Sequence, residues 1–113
     1  MDLQKEISGG VLLVRLSGEI DLAVTDCLRV SMDEELERDK LVKNIIVNLA
    51  EVTFIDSAGL GVMLGRYRKI SRAGGKMFIV GASPQVRRIL EISGLLNIMK
   101  ECPDEKQAMG LAV

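Results

Sequence analysis

Asn44-Ile45-Ile46-Val47-Asn48-Leu49 is followed closely by Thr53-Phe54-Ile55-Asp56-Ser57-Ala58-Gly59-Leu60-Gly61, and the join between the two stretches decides the fold. The first stretch is apolar on nearly every residue, which is how a strand buried on both faces of a sheet reads. After the second, Leu60, Met63, Leu64 and Tyr67 recur at i, i+3, i+4 and i+7. That spacing predicts a helix running to about Arg72, where Ala73-Gly74-Gly75 ends it. A buried strand therefore hands over to a helix at Asp56-Ser57.

The same alternation extends outward from this join. Val11-Leu12-Leu13-Val14-Arg15-Leu16 reads as a strand, and the turn signal Ser8-Gly9-Gly10 pairs it with residues 3–7 as a hairpin. Ser17-Gly18-Glu19-Ile20-Asp21 reads as its end. From Leu22 the period becomes helical, with Val24, Cys27, Leu28, Met32 and Leu36 on one face and acidic and basic residues on the other. Lys76 to Val80 predicts another buried strand. Ser83-Pro84 opens a third helix as cap and first helical residue, and Gly94 closes it. Leu96 to Met99 suggests a last short strand, and a terminal helix follows Pro103. Strand and helix alternating in this order imply right-handed parallel crossovers. The expected fold is a single α/β domain over residues 1–113. It has a mixed sheet of four or five strands started by an antiparallel hairpin, with about four helices.

Composition narrows the function. With 113 residues the chain is long enough for a core without staples. Its net charge of -1, scattered basic residues and aromatic content of 3% argue against nucleic-acid binding. No apolar run is long enough to span a bilayer, and the start of the chain lacks the pattern of a signal peptide, so a cytoplasmic protein without a membrane role is expected. Cys27 and Cys102 lie far apart and read as two reduced, mostly buried thiols. There is no histidine, which removes the commonest general base and the usual catalytic zinc ligands. No Walker loop or dinucleotide fingerprint appears. A non-enzyme without a cofactor of its own is the expectation.

The join at Ser57 is also the most informative place for function. In open α/β sheets, ligands and partners are met at the carboxyl ends of strands. The first N–H groups of a helix lack internal partners and favour negative charge. A hydroxyl there is exposed and reachable. The plainer reading is that Asp56 or Ser57 is only an N-cap, worth about 1 kcal/mol. Gly59, Gly61 and Gly65 weigh against that reading, because each costs up to about 1 kcal/mol against alanine within a helix. Close packing on the sheet and close approach by a partner explain these glycines equally well. In Gly18-Glu19-Ile20-Asp21, Asp21 reads as an N-cap. Ser57 is a poor candidate for a nucleophile, since only Gly59 of the elbow glycines is present and no histidine can act as base. Arg66, Arg68, Lys69 and Arg72 read as a solvated basic face favoured by the helix dipole.

The run Phe54-Ile55-Asp56-Ser57-Ala58-Gly59-Leu60-Gly61 closely resembles the phosphorylation segment of STAS domains of the anti-sigma factor antagonist family. Gly18-Glu19-Ile20-Asp21 resembles that family's Gly-Glu-(Leu/Ile)-Asp loop. Gly74-Gly75-Lys76, Ser83-Pro84, Val86, Leu90 and Ser93-Gly94-Leu95 match its later half, so the resemblance covers nearly the whole chain in order. Leu64-Gly65-Arg66-Tyr67-Arg68-Lys69-Ile70 looks most like the sporulation branch.

The resemblance implies an antagonist that binds an anti-sigma factor, itself an ATP-bound serine kinase, and so frees the sigma factor. It implies that Ser57 is the phosphoacceptor, that phosphorylation releases the antagonist, and that a serine phosphatase resets it. Asp21, Asp56, Ala58, Gly59, Leu60 and Gly61 would face the kinase. ATP and magnesium would belong to the kinase, and the free antagonist is expected as a monomer. Ala58 stands where many relatives carry a second hydroxyl. The alternatives are the general-stress antagonist of the same family, or a free-standing STAS subunit of a transporter or scaffold.

Overall fold

A computed structural model describes all residues, 1–113. Five strands lie side by side in chain order: β1 (Asp2–Ser8), β2 (Val11–Ile20), β3 (Asn44–Ile55), β4 (Met77–Val80) and β5 (Lys100–Cys102). β1 and β2 form the expected antiparallel hairpin, with Ser8 opposite Val11 and Asp2 opposite Ser17. Every other pairing is parallel. The helices are α1 (Thr25–Arg38), α2 (Ser57–Ser71), α3 (Pro84–Ile92) and α4 (Glu105–Ala112), with a short 3-10 turn at Leu95–Asn97.

Alternation along the strands divides the core in two. Leu12, Val14, Ile45, Val47, Met77 and Ile79 point to one face, where Leu28 and Met32 of α1, Val62 and Met63 of α2, and Val86 and Leu90 of α3 cover them. Val11, Leu13, Ile46, Phe78 and Val80 point to the other face, beneath Ala108 and Ala112 of α4. This two-faced burial is why the central strands read as continuous apolar runs. Phe78 is essentially fully buried, and truncating such a side chain to alanine costs about 3–5 kcal/mol. The edge of α4 is held by polar contacts. Arg15 Nε and Nη2 donate to Glu105 at 2.7 and 2.8 Å, and Asn48 Nδ2 donates to the same carboxylate at 2.6 Å.

Several local expectations are corrected. β2 does not end at Leu16. It continues to Ile20, with register shifts between Arg15 and Ser17 and between Gly18 and Glu19. Gly18, at φ +87°, absorbs the irregularity as a bulge rather than ending the strand. The last strand is Lys100–Cys102 instead of Leu96–Met99. Leu95 and Met99, both buried, are spaced for a helical turn, and the Met99 N–H donates to the Leu95 carbonyl at 2.8 Å. Cys27 is exposed while Cys102 is buried. The buried stripe of α1 is Leu28, Met32 and Glu35, and Cys27, one residue before Leu28, is turned about 100° away from it.

Candidate partner-binding site

β2 and β3 end side by side, with Ile20 opposite Ile55, and this brings the two candidate loops together at one end of the sheet. The Asp56 N–H donates to the Ile20 carbonyl at 3.2 Å, carrying the pairing one residue beyond the strands. Asp56 is extended and is the N-cap of α2. Its Oδ1 accepts the Gly59 N–H at 3.0 Å and its Oδ2 accepts the Leu22 N–H at 3.1 Å. One carboxylate thus starts the helix and anchors the loop after β2.

Ser57 is the first residue of α2 and is exposed. As the first amides of α2, the N–H groups of Ser57 and Ala58 have no acceptor within the chain, and of the helix amides the Asp56 side chain takes only that of Gly59. They face the end of the helix, where a negative group is favoured. Ala58 and Leu60 are half-buried beside it.

The glycines divide by role. Gly59 is buried, and a Cβ on it would lie 2.7 Å from the Ile20 carbonyl oxygen. Close packing inside the chain therefore accounts for Gly59. Gly61 and Gly65 are different, since a Cβ on either would meet nothing within 4 Å. They leave a shallow stripe open to the outside along α2.

Asp21 is not the cap of α1, a correction to the sequence reading. The cap position is Val24, with no side-chain hydrogen bond. Asp21 folds the preceding turn instead. Its Oδ1 accepts the Ala23 N–H at 3.1 Å and its carbonyl accepts the Val24 N–H at 3.0 Å. Asp21 remains half-exposed beside the start of α2.

The basic stripe is also revised in part. Arg66 is only 12% exposed, and its Nε lies 3.1 Å from Asp33 of α1, which Lys69 approaches at 3.5 Å. These residues tie α1 to α2, whereas Arg68 and Arg72 are exposed. The sequence reading missed Leu22, which is 75% exposed next to Asp21. Its signal was a large apolar side chain between Asp21 and Asp26 that falls outside the apolar face of Val24, Cys27, Leu28, Met32 and Leu36. No group of three or more histidine, cysteine or acidic residues is gathered as a metal site, and no helix is long and apolar enough to cross a membrane.

The helix start and the neighbouring loop lie together at the carboxyl end of the sheet, the place where α/β modules meet ligands and partners. The chain belongs to the STAS domain family, whose model matches residues 2–108. It is 41% identical to the anti-sigma F factor antagonist of Paenibacillus polymyxa, over 96% of this chain and 92% of that protein. It is 31% identical to an anti-sigma-B factor antagonist of Staphylococcus aureus, over 76% and 78%. The solved structure of the anti-sigma factor antagonist SpoIIAA in its unphosphorylated form superposes with a TM-score of 0.85 at 29% identity, covering 97% of this chain and 95% of that one. The phosphorylated form of the Bacillus cell fate determinant SpoIIAA superposes with a TM-score of 0.78 at 27% identity, covering 99% and 100%.

Proposed function

We propose that this chain is an anti-sigma factor antagonist, switched by phosphorylation of Ser57, acting as a single domain over residues 1–113. The observation that carries the reading is the placement of Ser57. It is an exposed hydroxyl at the first position of α2, with the free amides of Ser57 and Ala58 beneath it. The partner is an anti-sigma factor that is itself an ATP-bound serine kinase. Asp21, Asp56, Ala58, Gly59, Leu60 and Gly61 form or support the surface it meets. The unphosphorylated chain engages the kinase and frees the sigma factor. Phosphate on Ser57 ends that engagement, and a serine phosphatase restores it. The relative that exists in unphosphorylated and phosphorylated forms supports this cycle.

The 41% identity to one sigma F antagonist supports a sporulation circuit, while a second sigma F antagonist at 30% and a sigma-B antagonist at 31% do not separate it from a general-stress one. The chain acts in the cytoplasm, as a monomer when free, and the catalysis belongs to the kinase and phosphatase. Incubation with the cognate kinase and ATP is expected to add one phosphate, read by intact mass. Ser57→Ala should add none. A phosphate still gained by Ser57→Ala overturns the assignment.

A further inference from the structure

We propose that Leu22 is the apolar anchor of the partner surface, seating in a pocket of the anti-sigma factor rimmed by Lys or Arg, and that Asp56 positions it. The inference rests on the function proposed above. An exposed leucine is ordinary by itself. Leu22 is unusual in how it is held. Its side chain is 75% exposed, yet its backbone is fixed on both sides. Its N–H donates to Asp56 Oδ2 at 3.1 Å, and its carbonyl accepts from Thr25 Oγ1 at 3.0 Å. The Asp21 side chain closes the turn onto the Ala23 N–H. A large apolar group presented on a fixed backbone loses little conformational freedom when a partner covers it.

The surroundings define what would cover it. Glu19 and Asp26 are exposed and Asp21 is half-exposed. Arg29 is the basic residue among them, 3.2 Å from Asp26. An apolar centre with an acidic rim is complementary to an apolar pocket with a basic rim. The anchor also adjoins the phosphoacceptor, since Asp56 holds Leu22 with one oxygen and caps the helix of Ser57 with the other. Both carboxylate oxygens are needed for this. Asn in place of Asp56 keeps one acceptor and sets an NH2 donor against the remaining N–H.

The test titrates the purified cognate anti-sigma factor, loaded with nucleotide, against wild type, Leu22→Ala, Leu22→Met and Asp56→Asn. Leu41→Ser serves as control, because Leu41 is 80% exposed in the loop before β3, at the other end of the sheet. Ser57→Asp reports on the functional reading itself. Leu22→Ala should bind about tenfold or more weakly, with the melting temperature of wild type. Leu41→Ser should bind like wild type, and Leu22→Met, which keeps a large apolar side chain, should bind more tightly than Leu22→Ala. Asp56→Asn should bind more weakly, and its Leu22 amide should exchange hydrogen faster. If Leu22→Ala binds as wild type while Ser57→Asp does not bind, the anchor is wrong and the antagonist reading stands. If Ser57→Asp binds undiminished, or wild type does not bind, the antagonist reading fails and takes the anchor with it. Weakened binding by Asp56→Asn with an unchanged Leu22 amide overturns the positioning role.

Discussion

Gly59 faces the carbonyl of Ile20 so closely that a Cβ would sit 2.7 Å from the oxygen and 2.9 Å from Ile20 Cγ2 and Ile55 Cγ1. The obstacle is partly backbone at the end of β2, so it yields poorly. Gly59→Ala should therefore destabilise the fold by about 1–3 kcal/mol, as overpacked core sites do. The gain in helix propensity, up to about 1 kcal/mol, offsets only part of this. Gly61→Ala is the contrasting case, since nothing lies within 4 Å. It should melt at or slightly above wild type and bind the kinase more weakly, because the added methyl protrudes from the open stripe. Thermal melts and a kinase titration on both variants check the pair. Equal loss of stability in the two would contradict the division of roles.

Asp21 separates folding from recognition in another way. Its Oδ1 accepts the Ala23 N–H, and an Asn side-chain oxygen does the same. Asp21→Asn should therefore leave stability within about 0.5 kcal/mol of wild type. Loss of the charge should weaken kinase binding if a basic residue pairs with it, by up to ~2–5 kcal/mol for a buried pair. Unchanged affinity would leave Asp21 with the turn alone.

Some of this was legible in the sequence and some depends on tertiary placement. The handover at Asp56-Ser57 could be read because strand and helix periods meet there, and Ser83-Pro84 because cap and first-turn preferences act locally. The Ser83 hydroxyl accepts the Val86 N–H at 3.2 Å as expected. Gly18 was misread because a Ser-Gly pair signals a turn and a bulge equally well, and the parallel pairing with β3 decides between them. Leu22 was hidden because the group that fixes it, Asp56, lies 34 positions away. Arg66 looked solvated because its partner Asp33 sits on another helix, and only the packing of α1 on α2 brings them together. The family resemblance proposes site residues where local periodicity left cap and contact indistinguishable.

Two glutamates make the fold sensitive to acid. Glu35 is buried, which on its own would raise its pKa, but hydrogen bonds and charge from Lys5 and Arg38 outweigh burial and hold it below the usual value. Lys5 Nζ lies 3.1 Å from Glu35 Oε1 and ties β1 to α1. Glu105 is lowered by its hydrogen bonds from Arg15 first, against burial, with further help from Asn48. A folded-state pKa below the unfolded value stabilises fully above the unfolded value, about 4.3. That stabilisation is lost as pH falls through the lower folded value. Urea denaturation of wild type should therefore show stability falling with decreasing pH below about 4.5. Glu35→Gln and Glu105→Gln should each be less stable at pH 7, by about 1–3 kcal/mol, and less dependent on pH in the acid range. A wild-type curve that is flat there, or variants with undiminished slope, would contradict these roles.

Phosphorylation at Ser57 should act on the interface and leave the fold intact. A phosphoserine adds roughly -1.5 to -2 charges and a bulky group. At the start of α2 that charge meets the free amides of Ser57 and Ala58 and the positive end of the helix, a gain of typically ~0.3–1 kcal/mol. The Asp56 carboxylate next door opposes it, though its oxygens are turned toward the amides of Gly59 and Leu22. The two effects are of similar size, and Ser57 is exposed, so the free protein should melt close to wild type. The complex should differ, because the proposed partner would lie along Gly61 and Gly65 and cover the helix start. The basic groups proposed for the partner's rim would pair with Glu19, Asp21 and Asp26, so a phosphate enclosed at the helix start without a further matched cation costs several kcal/mol, and each 1.4 kcal/mol is tenfold in affinity. The phosphorylated protein and Ser57→Asp should thus bind the kinase at least about a hundredfold more weakly. Ser57→Ala should stay competent and resist being switched off. Calorimetry on the phosphorylated protein, run beside a kinase titration, separates the two possibilities. A large fall in melting temperature would place the switch in the fold, and undiminished binding would remove it from Ser57 altogether.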